Sequence, residues 1–102
     1  MIFFNEFDTA KGKMIAMCDE ELMGKVLKEG KIEINLKQYG GFYKGDLLTE
    51  DDVKSKINKS VYSANVVGNR SVKILKDAGL IKDADVRSVQ GVKYVHLFRI
   101  MK

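Results

Sequence analysis

A chain of 102 residues, 45% of them hydrophobic, is long enough to bury one core and form a single domain, 1–102, without disulfides or a structural metal. Its one cysteine excludes an internal disulfide framework. No apolar run approaches the roughly 18–20 residues of a membrane span, and Met1-Ile2-Phe3-Phe4-Asn5-Glu6 lacks the basic flank and cleavage site of a leader, so a cytoplasmic protein without a membrane partner is expected.

Ile2 to Phe7 is apolar and aromatic, Asp8-Thr9-Ala10-Lys11-Gly12 is a turn, and Lys13 to Cys18 is a second strand, so residues 2–18 read as a hairpin. Met17-Cys18-Asp19-Glu20-Glu21-Leu22-Met23-Gly24-Lys25 follows: a strand end, three carboxylates and a glycine exit. Asp19 is placed to cap a short helix, with Glu20 and Glu21 near its positive end. Val26-Leu27 reads as a short strand, and Lys31 to Lys37 alternates as a half-buried one with Ile32, Ile34 and Leu36 on one face. Gly40-Gly41-Phe42-Tyr43-Lys44-Gly45-Asp46 is a glycine-punctuated turn. Its glycines suit a sheet corner and its aromatics a core cover, although aromatics mixed with a lysine also occur on single-strand nucleic-acid platforms.

Thr49-Glu50-Asp51-Asp52 opens a helix with a cap and a carboxylate three residues on. Val53, Ile57, Val61 and Ala64, spaced four, four and three, extend it as one apolar stripe. After Gly68-Asn69 a second helix runs from Arg70 to Ala78, with Gly79 as its left-handed exit and Leu80 as the contact beyond. Val86 to Val89, a Gln90-Gly91 turn and Val92 to Ile100 form a closing hairpin. The last strand is apolar on both faces and therefore central in its sheet. Strands, then two helices, then strands imply an α+β fold: an N-terminal β-hairpin and further strands, two central helices and a C-terminal β-hairpin.

Net charge is +4, unevenly spread: residues 61–102 carry eight Lys/Arg against three Asp/Glu, whereas residues 1–30 carry four against six. The basic surplus near the C-terminus suits RNA, a ribonucleoprotein or an acidic protein partner. Arg70, Lys73 and Lys76 share one helix face, and Arg87 and Lys93 decorate the closing hairpin. Ala64, Gly68 and Ile74 also follow a helix-turn-helix skeleton, so a winged-helix DNA-binding protein, with recognition helix 70–78 and wing 86–100, is an alternative.

Catalytic sets are weaker. Cys18 with His96 would make a thiolate–imidazole pair, but three adjacent carboxylates raise a thiol pKa, and the strand places Cys18 beside Met14 and Ala16 in a core. A metal site would need Asp19, Glu20 and Glu21 as donors, and Gly24-Lys25 lacks the glycine and Ser/Thr of a phosphate loop. No cofactor is expected, and an enzymatic or metal site around Cys18 to Glu21 stands as a further alternative to a non-enzymatic module.

Read in order, Cys18-Asp19-Glu20-Glu21-Leu22-Met23-Gly24-Lys25, Phe42-Tyr43-Lys44-Gly45-Asp46-Leu47-Leu48 and Ala64-Asn65-Val66-Val67-Gly68-Asn69-Arg70 resemble a small archaeal family known as domain of unknown function 424. Its motif positions correspond here to Cys18, Asp19, Glu20, Glu21, Gly24, Lys25, Asn65 and Gly68. Lys44 stands where the family tends to have glycine, Asn69 where it tends to have glutamate, and Gly91-Val92-Lys93-Tyr94 where it has Gly-Val-Pro-His. The resemblance implies an archaeal cytosolic protein whose relatives are encoded beside translation factors.

Overall fold

The computed structural model describes residues 1–57 and 61–97. Ile2–Thr9 (β1) and Gly12–Asp19 (β2) form the expected hairpin, paired from Ile2 opposite Asp19 to Thr9 opposite Gly12. Its turn is closed by the Thr9 hydroxyl, which donates to the Gly12 carbonyl at 2.6 Å and accepts from the Lys11 N–H at 3.2 Å. A 3₁₀ turn at Glu20–Leu22 leads to a small separate hairpin, Val26–Glu29 (β3) with Ile32–Asn35 (β4). Ile34 and Leu36 are buried as the alternation predicts, whereas Ile32 at the tip is exposed.

Gly40–Tyr43 is a single helical turn (α1) rather than an open loop, followed by Asp46–Leu48 (β5) on the outer edge of β1. Glu50–Lys56 forms α2, and the Thr49 hydroxyl accepts the Asp52 N–H at 3.1 Å, the cap read from sequence. The helix stops at Lys56. The expected continuation of its stripe through Val61 and Ala64 is wrong: Val61–Val67 is a strand, β6. Val61, Tyr62, Val66 and Val67 are β-branched or aromatic, the residue types that favour a pleated, buried strand. Asn69–Asp77 (α3) ends as predicted. Gly79 has φ +75°, its N–H donates to Lys76 O, and Leu80 N–H donates back to Leu75 O, a Schellman closure with Leu80 buried. Arg87–Val89 (β7) and Val92–Leu97 (β8) complete the described chain. The expected extension of the last strand through Phe98, Arg99 and Ile100 lies outside the described residues.

Six of these strands form one sheet in the order β5-β1-β2-β6-β8-β7. Neighbours are antiparallel except β2 and β6, which run parallel at its centre. Alternation on β2 divides the core. Ile15 and Met17 face one side with Val66, Val95, Val53 of α2, and Val72 and Leu75 of α3. Ala16 and Cys18 face the other with Val67, Tyr94, Leu27 and Ile34 of the small hairpin, and Tyr43 of α1. The result is three layers, with α2 and α3 on one face of the sheet and α1 with β3–β4 on the other. No helix among the described residues is long and apolar enough to cross a membrane.

Candidate nucleic-acid interface

Parallel pairing of β2 with β6 sets Cys18 beside Val67, so the two sequence motifs end side by side. There Asp19 acts differently from the sequence expectation. Its carboxylate makes no bond to the 3₁₀ turn that it precedes. Instead it turns to α3, accepting from Arg70 N–H at 3.1 Å, Ser71 N–H at 2.9 Å and the Ser71 hydroxyl at 2.6 Å. The first turn of α3, which follows a strand and Gly68 much as anion-binding helices do, is thereby filled by a side chain from another part of the chain. Gly68 has φ +120°, and a Cβ there would lie 2.2 Å from Asp19 Cγ, so glycine is required both by the backbone and by the carboxylate.

Three consecutive acids therefore spread over different partners, although Asp19 Oδ2 also lies 3.8 Å from Arg70 Nε, which places Arg70 between Asp19 and Glu21. Asp19 caps α3. Glu20 lies 3.8 Å from the Met1 amino group. Glu21 pairs with the Arg70 guanidinium, and its own backbone N–H together with Arg70 holds its carboxyl below the usual range. This divergence runs against a metal or acid–base centre at residues 18–21, and no group of three His, Cys, Asp or Glu among the described residues is placed to share a cation. Gly24, at φ +88°, and exposed Lys25 carry the chain out toward β3. Cys18 is fully buried; burial first, and then Asp19 and Glu21, push its thiol up to about 12, where it is no nucleophile. His96 is level with Asn65 and Ala16 across the sheet, not with Cys18, so the thiolate–imidazole pair is not assembled.

The helix-turn-helix reading also fails. Ala64 lies within β6 at the centre of the sheet, and Gly68 joins a strand to a helix rather than two helices. A unit of that type needs a helix leading directly into the glycine turn, and among the described residues β6 occupies that place.

The five basic residues are divided by position. Arg70 is tied to Glu21, and Lys73 pairs with Asp77 one turn along α3 at 2.8 Å. The other three converge. Lys76 near the end of α3, Arg87 on β7 and Lys93 on β8 line one open groove of about 550 Å³, together with Asp83, Val86, Ser88 and Ile32. Asp83 is the acid in this lining; it lies 2.5 Å from Lys76, and Lys76 first and then Lys93 hold its carboxyl below the usual range. Three cations against one carboxylate leave the lining at about +2 (three minus one). The convergence depends on the register of β7 with β8, where Ser88 opposes Lys93 and Arg87 opposes Tyr94. The groove thus wraps the edge strand of the sheet.

A second cavity, of about 340 Å³, opens on the opposite face beneath the small hairpin. Tyr39, Phe42 and Tyr43 supply aromatic walls, Ile34 and Leu36 the apolar floor, and Asn65 and His96 polar groups on the sheet side, with Glu33 and Asn35 of the small hairpin at the rim. The sequence reading missed it, because Asn65 and His96 meet only when residues 61–67 form a strand paired with β8. The β-branched run Val66-Val67 was the signal available.

The architecture is a three-layer α+β domain whose sheet edge carries a basic groove. The chain belongs to the family described as "Protein of unknown function (DUF424)", which matches residues 7–100. Among solved structures it is similar to an uncharacterized conserved protein from Methanopyrus kandleri, with a TM-score of 0.78 at 23% identity, covering 99% of this chain and 93% of that one. That likeness concerns the fold. No curated protein matches the chain.

Proposed function

We propose that this protein is a non-enzymatic RNA-binding module of the archaeal cytoplasm, linked to translation, which holds the phosphate backbone in the groove of Lys76, Arg87 and Lys93. The observation that carries this reading is their convergence on one groove with Asp83 as the acid in its lining. Phosphate neutralisation by clustered Lys and Arg supplies the sequence-independent part of nucleic-acid affinity. Arg87 adds a planar fork suited to a phosphate, which a lysine does not offer. Arg70 and Lys73 take no direct part, since neither lines this groove.

Fluorescence anisotropy with a labelled single-stranded RNA at 50 and 200 mM salt tests the assignment. Three phosphate contacts give a log–log salt slope of about −2 for a single strand. Joint replacement of Lys76, Arg87 and Lys93 by Ala should abolish binding and flatten that slope. Wild-type binding that is absent or insensitive to salt refutes the function, and unchanged binding by the triple variant refutes the site.

A further inference from the structure

The aromatic cavity has features that phosphate binding does not use. Asn65 and His96 are direct cross-strand partners on β6 and β8, so their side chains stand together on one face of the sheet. Both side chains open onto the cavity. A carboxamide offers donors and an acceptor, and a neutral imidazole one of each. Together they present the mixed donor–acceptor pattern that complements the edge of a nucleobase. Beside them Tyr39, 61% exposed, has nothing of the core to cover. Phe42 is stacked on Phe7, with ring centroids 5.3 Å apart and planes 8° from parallel, and meets Tyr43 edge to face at 5.3 Å, so a planar ligand entering the cavity would join an existing aromatic cluster.

The cavity is linked to the basic groove. Arg87 borders both the groove and an intermediate cavity of about 340 Å³, which Tyr94 and His96 also line. His96 in turn borders both the intermediate cavity and the aromatic one. A path from cations to stacked rings therefore runs around the edge of the sheet, past Asp85, which lines the intermediate cavity with one cation, Arg87.

We infer that this cavity takes one planar heteroaromatic base, stacked against Tyr39 and Phe42 and read at its edge by Asn65 and His96. The inference deepens the RNA reading above and rests on it for the source of the base: a nucleotide splayed out of a strand whose phosphates lie in the groove. A free nucleotide shares this chemistry.

Three probes separate the cases: a labelled RNA decamer, an abasic ribose-phosphate decamer of equal charge, and free nucleoside monophosphates. The variants are Tyr39→Ala and His96→Ala, both at exposed positions, each checked by its thermal melt. The RNA decamer should bind at least tenfold more tightly than the abasic one. Each variant should lose about three- to tenfold for RNA, nothing for the abasic decamer, and keep the wild-type salt slope. Binding of monophosphates alone, lost in both variants, upholds the base pocket while the strand reading falls. Equal binding of the RNA and abasic decamers overturns the base pocket and leaves the groove standing. Variants that bind RNA as the wild type does overturn it as well, as does failure of all three probes to bind.

Discussion

Removing the buried Asp19 carboxylate should destabilise the protein by several hydrogen bonds' worth. The side chain accepts three hydrogen bonds, from two backbone N–H groups and one hydroxyl, and it is only 3% exposed. In Asp19→Ala these donors lose their acceptor where water has little access, and Ser71 is itself fully buried. An N-cap is worth about 1–2 kcal/mol, and each further buried donor left unsatisfied about 1–3. A total of about 3–5 kcal/mol follows, after allowing for relaxation. At a urea m-value of about 1.5 kcal/mol/M the unfolding midpoint should fall by about 2–3 M. Asp19→Asn keeps one carbonyl-type acceptor for Ser71 but loses the oxygen facing Arg70 N–H, so about 1–2 kcal/mol is expected. Equilibrium urea unfolding followed by circular dichroism gives both numbers. A loss below about 1 kcal/mol for Asp19→Ala refutes the claim that this carboxylate holds α3 on the sheet.

Gly68→Ala should destabilise by at least about 3 kcal/mol in the same assay, because its Cβ collides with Asp19 and φ +120° is hostile to any side chain. Arg70→Ala should cost about 1–2 kcal/mol, since beside its exposed pair with Glu21 it lies 3.8 Å from the buried Asp19 carboxylate, and it should leave RNA affinity within twofold while Arg87→Ala weakens it measurably. Cys18 should be unreactive toward a thiol reagent at pH 8 in the native protein and react at once in urea. Its thiol pKa is raised to about 12 by folding, so the protonated form is favoured in the native state. The stability this represents is complete below the unfolded value near 8.5 and is lost as pH rises toward the folded one. One unit into that window, near pH 9.5, the decline should be about 1 kcal/mol, and Cys18→Ala should lack it.

Local signals were legible wherever one residue and its near neighbours decided the outcome. The N-terminal hairpin, the Thr49 cap and the Gly79–Leu80 exit are of this kind, as is the burial of Ile34 and Leu36, although the strand itself ends at Asn35. Residues 61–67 were misread for a specific reason. The pairing of β2 with β6 slips by one residue between Lys13–Met14 and Val61–Ser63, leaving Tyr62 extra. This bulge brings Val61 and Ala64, three apart, to the same core, which imitates helical spacing on a strand. The misread strand then hid both the Asn65–His96 pair and the failure of the helix-turn-helix. The basic groove was half legible: its three cations were named, but their separation from Arg70 and Lys73 depends on where folding places them.

The Asp19 cap also determines how the molecule should breathe. First-turn amides of a helix ordinarily exchange with solvent fast, because they lack carbonyl partners and the end frays. Here the Arg70 and Ser71 amides are bonded to a buried side chain 51 and 52 residues earlier. They are released only when the β2–β6 junction itself opens. Hydrogen exchange at these two amides should therefore track unfolding of the whole sheet, and the beginning of α3 should be among its slowest-exchanging parts.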